Sequence, residues 1–164
     1  MSKSALSIAE EHTDLSDSVI GQLNRLNSRA AARATLEKGS AHPSEIWSAG
    51  KDLGWNGLAI AEQYGGSGFG LAELAVVLEV QGRELSPGPF LPTVAAAVVI
   101  DRCGPDSVRA QLLPGLAGGS TVGALALSGN VAIGSDLVVT GESPAVLGAP
   151  DADVLVIAAG EPWK

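Results

Sequence analysis

The sequence predicts an α+β protein: an all-helical bundle over residues 1–119, followed by an incomplete small β-domain over residues 120–164. Three observations predict it. Apolar residues recur at helical spacing as far as Leu116, and glycines and prolines divide that pattern into separate helices. After Gly118-Gly119 the composition shifts to short β-like segments separated by Gly, Asn, Ser and Pro.

From Ser4 to Leu36, Leu15, Val19, Leu23, Leu26 and Ala30 fall on one face, which predicts a single amphipathic helix broken by Gly39 and Pro43. Ser44-Glu45-Ile46-Trp47 opens a short second helix that Gly54 can end in a left-handed cap. The stretch Glu62–Gly70 carries four glycines and is too irregular for helix or strand, so it must be a loop. Beyond it Leu71, Leu74, Ala75, Leu78, Gly82 and Leu85 trace one helical face, with Val76, Val77 and Val80 making much of the rest apolar. Such a helix belongs in the middle of a bundle.

Ser86-Pro87-Gly88-Pro89 forces a turn, after which Leu91, Val94, Ala95, Val98 and Val99 form another stripe ending at Cys103-Gly104. Pro105 suits the first turn of a fifth helix, whose Val108, Leu112 and Leu116 face inward. Thr121–Leu127, Leu137–Thr140 and Asp153–Ala158 read as strands. They are too few to close a barrel or sandwich, so an exposed apolar surface is expected there.

Composition excludes several functions. Hydrophobic residues make up 46% of the chain but aromatic residues only 4%, so the core is aliphatic and stacking rings are scarce. A formal net charge of −8 disfavours nucleic acid, whose phosphates are bound by clustered Lys and Arg. Arg25, Arg29 and Arg33 lie at helical spacing and read as a solvated face. The longest apolar run, Leu91–Ile100, falls short of the roughly 20 residues that span a bilayer. A single cysteine and no secretory leader point to a cytoplasmic protein without disulfides.

No catalytic residue and no metal site emerge from spacing. The Gly65–Gly70 run lacks the Lys-Ser/Thr of a P-loop and the strand–helix context of a dinucleotide fingerprint, so a structural turn is the simpler reading. His12 and His42 lack partners at ligand spacing and read as surface residues. Cys103 reads as a small buried hydrophobe. Glu73, Glu79, Arg83 and Glu84 read as the solvated or paired charges of an apolar helix.

The run from Leu53 to Gly68, Leu-Gly-Trp-Asn-Gly-Leu-Ala-Ile-Ala-Glu-Gln-Tyr-Gly-Gly-Ser-Gly, resembles the pattern L-G-W-x-G-L-x-x-P-E-x-Y-G-G-x-G of acyl-CoA dehydrogenases. The likeness continues through Val77–Leu85, similar to that family's L-E-E-L-G-R helix, and through Gln111–Gly119, similar to Q-x-x-L-P-x-L-A-x-G. It implies a flavoprotein of helical domain, β-domain and C-terminal helical bundle that oxidises acyl-CoA thioesters to 2,3-enoyl-CoA with FAD. The family's catalytic glutamate lies in the C-terminal bundle, so the resemblance assigns no catalytic residue here.

The family's flavin-holding segments, T-E-P-x-A-G-S-D and N-G-E-K-x-W-I-T, are both altered in this chain. The resemblance places Leu127 and Ser128 where a flavin-contacting Thr belongs, and Gly134 and Ser135 in a G-S-D displaced by one position. The family's Trp falls on Ala145 and its Thr on Leu147. The resemblance therefore implies cofactor-binding positions at Leu127, Ser128, Gly134 and Ser135 within an incomplete flavin site. It also implies a homo- or hetero-oligomer with another acyl-CoA dehydrogenase chain. The alternative is a non-catalytic partner or assembly subunit.

Overall fold

The computed structural model describes residues 10–38 and 44–160. Six α-helices precede four short strands: α1 (Glu10–Arg25), α2 (Ser28–Lys38), α3 (Ser44–Asp52), α4 (Leu71–Arg83), α5 (Phe90–Cys103), α6 (Asp106–Ala117), β1 (Gly123–Ala126), β2 (Asn130–Ile133), β3 (Val139–Glu142) and β4 (Val154–Ile157). This is the α+β order the sequence predicts.

The long N-terminal helix is instead two. Asn27 takes a left-handed φ of 50°, a conformation its short polar side chain tolerates and one that ends a helix. Ser28 then restarts the chain: its hydroxyl, 3% exposed, donates to the carbonyl of Glu84 at 2.7 Å. Beside it the Arg29 guanidinium meets the Glu84 carboxylate at 3.1 Å. The break thus fixes α2 to the C-terminal end of α4. Ala30, placed on the buried stripe by the single-helix reading, is exposed. The parts of that reading at residues 4–9, Gly39 and Pro43 lie outside the described residues.

Two buried clusters make the core. One gathers Val19, Ile20 and Leu23 of α1 with Ile46, Trp55, Leu58, Leu74, Val77, Val80, Phe90 and Val94. The other joins Ile60, Ala97, Ile100, Leu113, Leu116 and Ala117. Helix α4 buries its Leu74-Val76-Val77-Val80 side, while Leu71, Gly82 and Leu85 of the stripe read from the sequence are exposed. On a helix apolar nearly all round, periodicity alone does not choose the inner face. The same holds for α5, whose Ala96, Ala97 and Ile100 are buried while Leu91 is half exposed.

The glycine-rich segment is an ordered turn. Its amides go to backbone carbonyls of the preceding strip: Ser67 to Gly57, Gly68 to Ile60 and Phe69 to Leu58, each at 2.9 Å. A Cβ on Gly66 would strike the Ile60 carbonyl, so only glycine lets these two backbones approach so closely. With those donors spent on the protein's own carbonyls, the segment is no phosphate cradle.

At the start of α4 the Glu73 carboxylate accepts from the Gly70 N–H at 2.9 Å and meets the His12 ring of α1 at 2.9 Å. His12 is therefore partly buried in a helix–helix contact, and reading it as a surface residue is corrected. The hydrogen bond with His12 is the main reason the Glu73 carboxyl sits below its usual range; backbone N–H groups add to it and burial opposes it. His42 lies outside the described residues. Cys103 is exposed, a correction to its expected burial, because it occupies the last turn of α5 on the outer side.

In the β part, β1 pairs in parallel with β4, Gly123 opposite Val154, and β2 pairs antiparallel with β3, Asn130 opposite Glu142. Strand β2 is an addition to the sequence reading, and β3 begins two residues later than expected. The expected apolar surface is present: Leu127, Ile133, Leu137, Val139, Leu147 and Leu155 are all exposed.

Three expected outcomes test this packing. Leu113→Ala, which empties a fully buried position, should cost about 2–5 kcal/mol in urea unfolding. Gly66→Ala should cost about 2 kcal/mol or more by the same measurement, because the added carbon meets a carbonyl rather than a flexible side chain. For Glu73 the lowered folded-state pKa gives a contribution that is complete above the ordinary carboxylate value and lost as pH falls through the lowered one. Glu73→Gln should therefore be less stable than the native chain at neutral pH, with the gap narrowing once the pH is below the carboxylate range; a gap constant from pH 7 to acid would refute that linkage.

Candidate functional site

Two regions of the surface have the makings of a site. The first is the edge where the expected flavin positions lie. Leu127 and Ser128 follow β1 directly, and both are exposed. Ser128 is held through its backbone, its carbonyl accepting from the Ser143 hydroxyl at 2.8 Å. Gly134 and Ser135 lie at the other end of the β2–β3 hairpin, in its exposed turn. There the Gly134 N–H donates to the Val138 carbonyl at 2.9 Å, and the Asp136 carboxylate accepts from the Val138 N–H at 3.2 Å.

The four positions are thus not gathered into one pocket. Six residues of extended chain, roughly 20 Å, separate Ser128 from Gly134. Ala145 and Leu147, exposed on the return segment, offer neither a ring to stack on a flavin nor a hydroxyl to bond it. The polar groups are in solvent, where hydrogen bonds are worth little, and Asp136 puts a negative charge beside the turn that a pyrophosphate would approach. By themselves these residues do not fit a flavin.

The second region is a groove of about 510 Å³ between α2, α4, the turn 84–89 and the start of α5. Its described walls include Ala32 and Leu36 of α2, Leu78 and Leu85 from the α4 side, and Phe90 and Leu91 of α5. No Asp, Glu, Lys, Arg or His is among the described lining residues. Leu36, Leu85 and Leu91 at its rim are 85%, 60% and 50% exposed, so a considerable apolar surface faces solvent at the mouth.

The geometry of Leu85 is unusual for a large side chain. It takes a left-handed φ of 52° where α4 ends. Its N–H bonds the Gly82 carbonyl at 3.2 Å and the next N–H, that of Ser86, reaches back to Gln81 at 2.8 Å. This is the two-bond helix ending that glycine ordinarily serves. Leucine in that position holds an apolar side chain over the groove. Sequence periodicity places Leu85 on the helix face and so misses this role; the Ser86-Pro87-Gly88 that follows it is the signal that the helix ends here.

A further hollow of about 410 Å³ lies beside the His12–Glu73 pair, lined by Glu11, Leu15, Leu58 and Phe69 as well. Two of its titratable groups, His12 and Glu73, serve the helix contact already described. Among the described residues no cluster of His, Cys, Asp and Glu could hold a metal ion, and no helix is long and apolar enough to cross a membrane.

Comparison with known proteins was made on sequence and on fold. The family model for the acyl-CoA dehydrogenase N-terminal domain matches residues 9–120. The chain is 29% identical over 155 residues to acyl-CoA dehydrogenase IpdE2 of Mycolicibacterium smegmatis, an alignment covering 94% of this chain and 44% of that protein. A variant of the Tcur3481-Tcur3483 steroid ACAD is similar in structure with a TM-score of 0.77 at 28% identity, over 92% of this chain and 45% of that one. The ChsE4-ChsE5 complex from Mycobacterium tuberculosis gives a TM-score of 0.81 over 95% of this chain and 45% of that one; at 23% identity that likeness speaks to fold alone. The chain spans less than half the length of each of these relatives.

Proposed function

The chain belongs to the acyl-CoA dehydrogenase family, and from that membership we propose that it works as one subunit of a flavin-dependent assembly that oxidises acyl-CoA thioesters to 2,3-enoyl-CoA. In this reading it supplies the helical scaffold, an apolar seat for the acyl tail in the groove between α2, α4 and α5, and one edge of the flavin site. Leu127, Ser128, Gly134 and Ser135 mark that edge, and another acyl-CoA dehydrogenase chain holds FAD and completes the site.

The observation that carries the proposal is the contrast between the two halves. The helical half keeps the family's framework in packed form, from Trp55 in the first core cluster to the backbone-bonded Gly57–Phe69 segment. The β half has Ala145 and Leu147 where the family's flavin contacts belong, and its hydroxyls stand in solvent. A chain selected to hold its own flavin would gain from a buried, preorganised donor set; one that completes a partner's site needs mainly a stable scaffold and an apolar face to dock. Exposed Leu127, Ile133, Leu137, Val139 and Leu147 offer such a face. Two of the structural relatives carry two-chain names, Tcur3481-Tcur3483 and ChsE4-ChsE5, which favours the same arrangement here. The loss of the Trp and Thr contacts also favours a second reading, a non-catalytic assembly subunit, which differs in contributing nothing to turnover.

Co-expression with a full-length acyl-CoA dehydrogenase chain of the host separates the two. Purified alone, the chain should be colourless; co-purified, the complex should carry flavin absorbance and oxidise an acyl-CoA. Replacing Ser128 and Ser135 with Leu should lower turnover in the complex at least several-fold without dissociating it. Unchanged turnover would favour the assembly subunit, and a chain that never co-purifies with such a partner would sink both.

A further inference from the structure

Charge is divided between the two halves as sharply as secondary structure. All ten Lys and Arg residues and both His lie outside residues 110–163, whose charged side chains are Asp136, Glu142, Asp151, Asp153 and Glu161. The first four are exposed, and none of them is in an ion pair among the described residues. Asp136 precedes the exposed Leu137 in the hairpin turn, and Asp151 and Asp153 lead into β4 with its exposed Leu155 and Ile157. The apolar surface of this half is therefore interspersed with negative charge only.

A second observation is the open edge of β4. Val154 and Ala158 send their N–H groups to the carbonyls of Val122 and Ala126, at 3.1 and 2.9 Å. Alternate residues of a parallel strand serve opposite neighbours, so Leu155 and Ile157 turn theirs outward, where no strand lies among the described residues. Such edges are ordinarily blunted by a lysine, a proline or a bulge. Val154-Leu155-Val156-Ile157 carries no lysine or proline, and its register with β1 is unbroken.

We infer that the β half docks on a different protein chain, whose extended apolar segment, flanked by Lys or Arg, pairs with the outer edge of β4. A second copy does not fit. An isologous contact sets one patch against itself, so the carboxylates of one copy would meet those of the other with no cation between them. Nor is the helical half of a second copy a ready source of charge, since its Arg29, Arg83, Arg102 and Arg109 already lie within 4.0 Å of carboxylates of their own. Nucleic acid and anionic lipid are disfavoured by the same sign of charge. Applied to the reading above, on which this step rests, the companion acyl-CoA dehydrogenase chain is a distinct subunit with a basic docking face. Opposite charge speeds its encounter with this chain, and main-chain hydrogen bonds along β4 hold it.

The test uses the whole chain and the companion chain that co-purifies with it, and needs neither flavin nor turnover. With the companion immobilised, association and dissociation rates are read by interferometry. Association should slow about tenfold or more between low salt and about 0.5 M salt, where charges are screened beyond roughly 4 Å. Glu142→Lys combined with Asp151→Lys, at two exposed carboxylates, should slow association about tenfold at low salt and remove most of its salt dependence. Leu155→Pro removes an outward N–H that β1 does not use, so the circular dichroism should be unchanged while dissociation speeds up about tenfold, the worth of one or two hydrogen bonds. Leu155→Lys, which keeps the backbone intact and adds the charge that natural edges carry, should act in the same direction.

Rates indifferent to salt and to the paired lysine substitutions overturn the inference and leave the assembly reading standing, with the companion docked elsewhere. Dissociation unchanged in both Leu155 variants overturns it as well. So does self-association of the chain alone, seen by light scattering at the same concentrations. A companion that never co-purifies removes the inference and the reading together.

Discussion

The close approach of β1 to α5 is the contact on which the arrangement of helical and β parts depends. Gly123 meets that helix where Thr93 and Ala96 face it: a Cβ there would come within 3.0 Å of the Ala96 methyl and 3.1 Å of Leu116. Thr93, fully buried, ties the two backbones by accepting from the Gly123 N–H at 3.2 Å and donating to its carbonyl at 3.4 Å. Small residues on α5 make the approach possible, and the hydroxyl satisfies backbone groups at the start of a strand whose only ladder partner among the described residues is β4. Because α5 contributes Phe90 and Val94 to one core cluster and Ala97 and Ile100 to the other, the strand is anchored to the element that joins both.

That anchor ends at Ala126. Among the described residues each strand has a single partner, and two-stranded pairs are marginal in water unless something covers them. The exposed apolar residues of the β2–β3 hairpin and of the segment around Leu147 belong to a surface that gains by being covered. The helical part needs no such help, since it buries Val19, Leu23, Val76, Val77, Val80, Leu113 and Leu116 completely or nearly so. The two halves differ in self-sufficiency as well as in secondary structure.

What the residues alone disclosed follows the same division. Helices whose boundaries carry backbone punctuation were legible: Gly54 ends α3 with φ at 70°, and Gly104 and Gly118 follow α5 and α6. The break at Asn27 was not, because asparagine in a left-handed turn leaves the apolar period almost undisturbed on either side. Inner faces of α4 and α5 were not, because Val and Ala cover both sides and packing decides between them. Strand β2 was hidden by Gly129 and Gly134 at its ends, which read as loop until Glu142 and Val139 pair with it. His12 found its partner 61 residues away, a separation no local pattern reports. The altered flavin segments were visible in the sequence, whereas the distance between their two remnants required the hairpin.

Among the described residues that break local rules are Leu85, by its backbone, and Asn56, by its unpaired amide, and neither violation is visible in composition or period. Leu85 lines the groove, whereas the Asn56 carboxamide is shut away from solvent with its nitrogen against Gly119. Natural chains tend to keep such departures where function requires them, since elsewhere a glycine or an aliphatic residue would restore about 1 kcal/mol or more. Glycine at 85 would cost the groove its outer wall. The strain held in the Leu85 backbone is thereby tied to the apolar surface that its side chain walls.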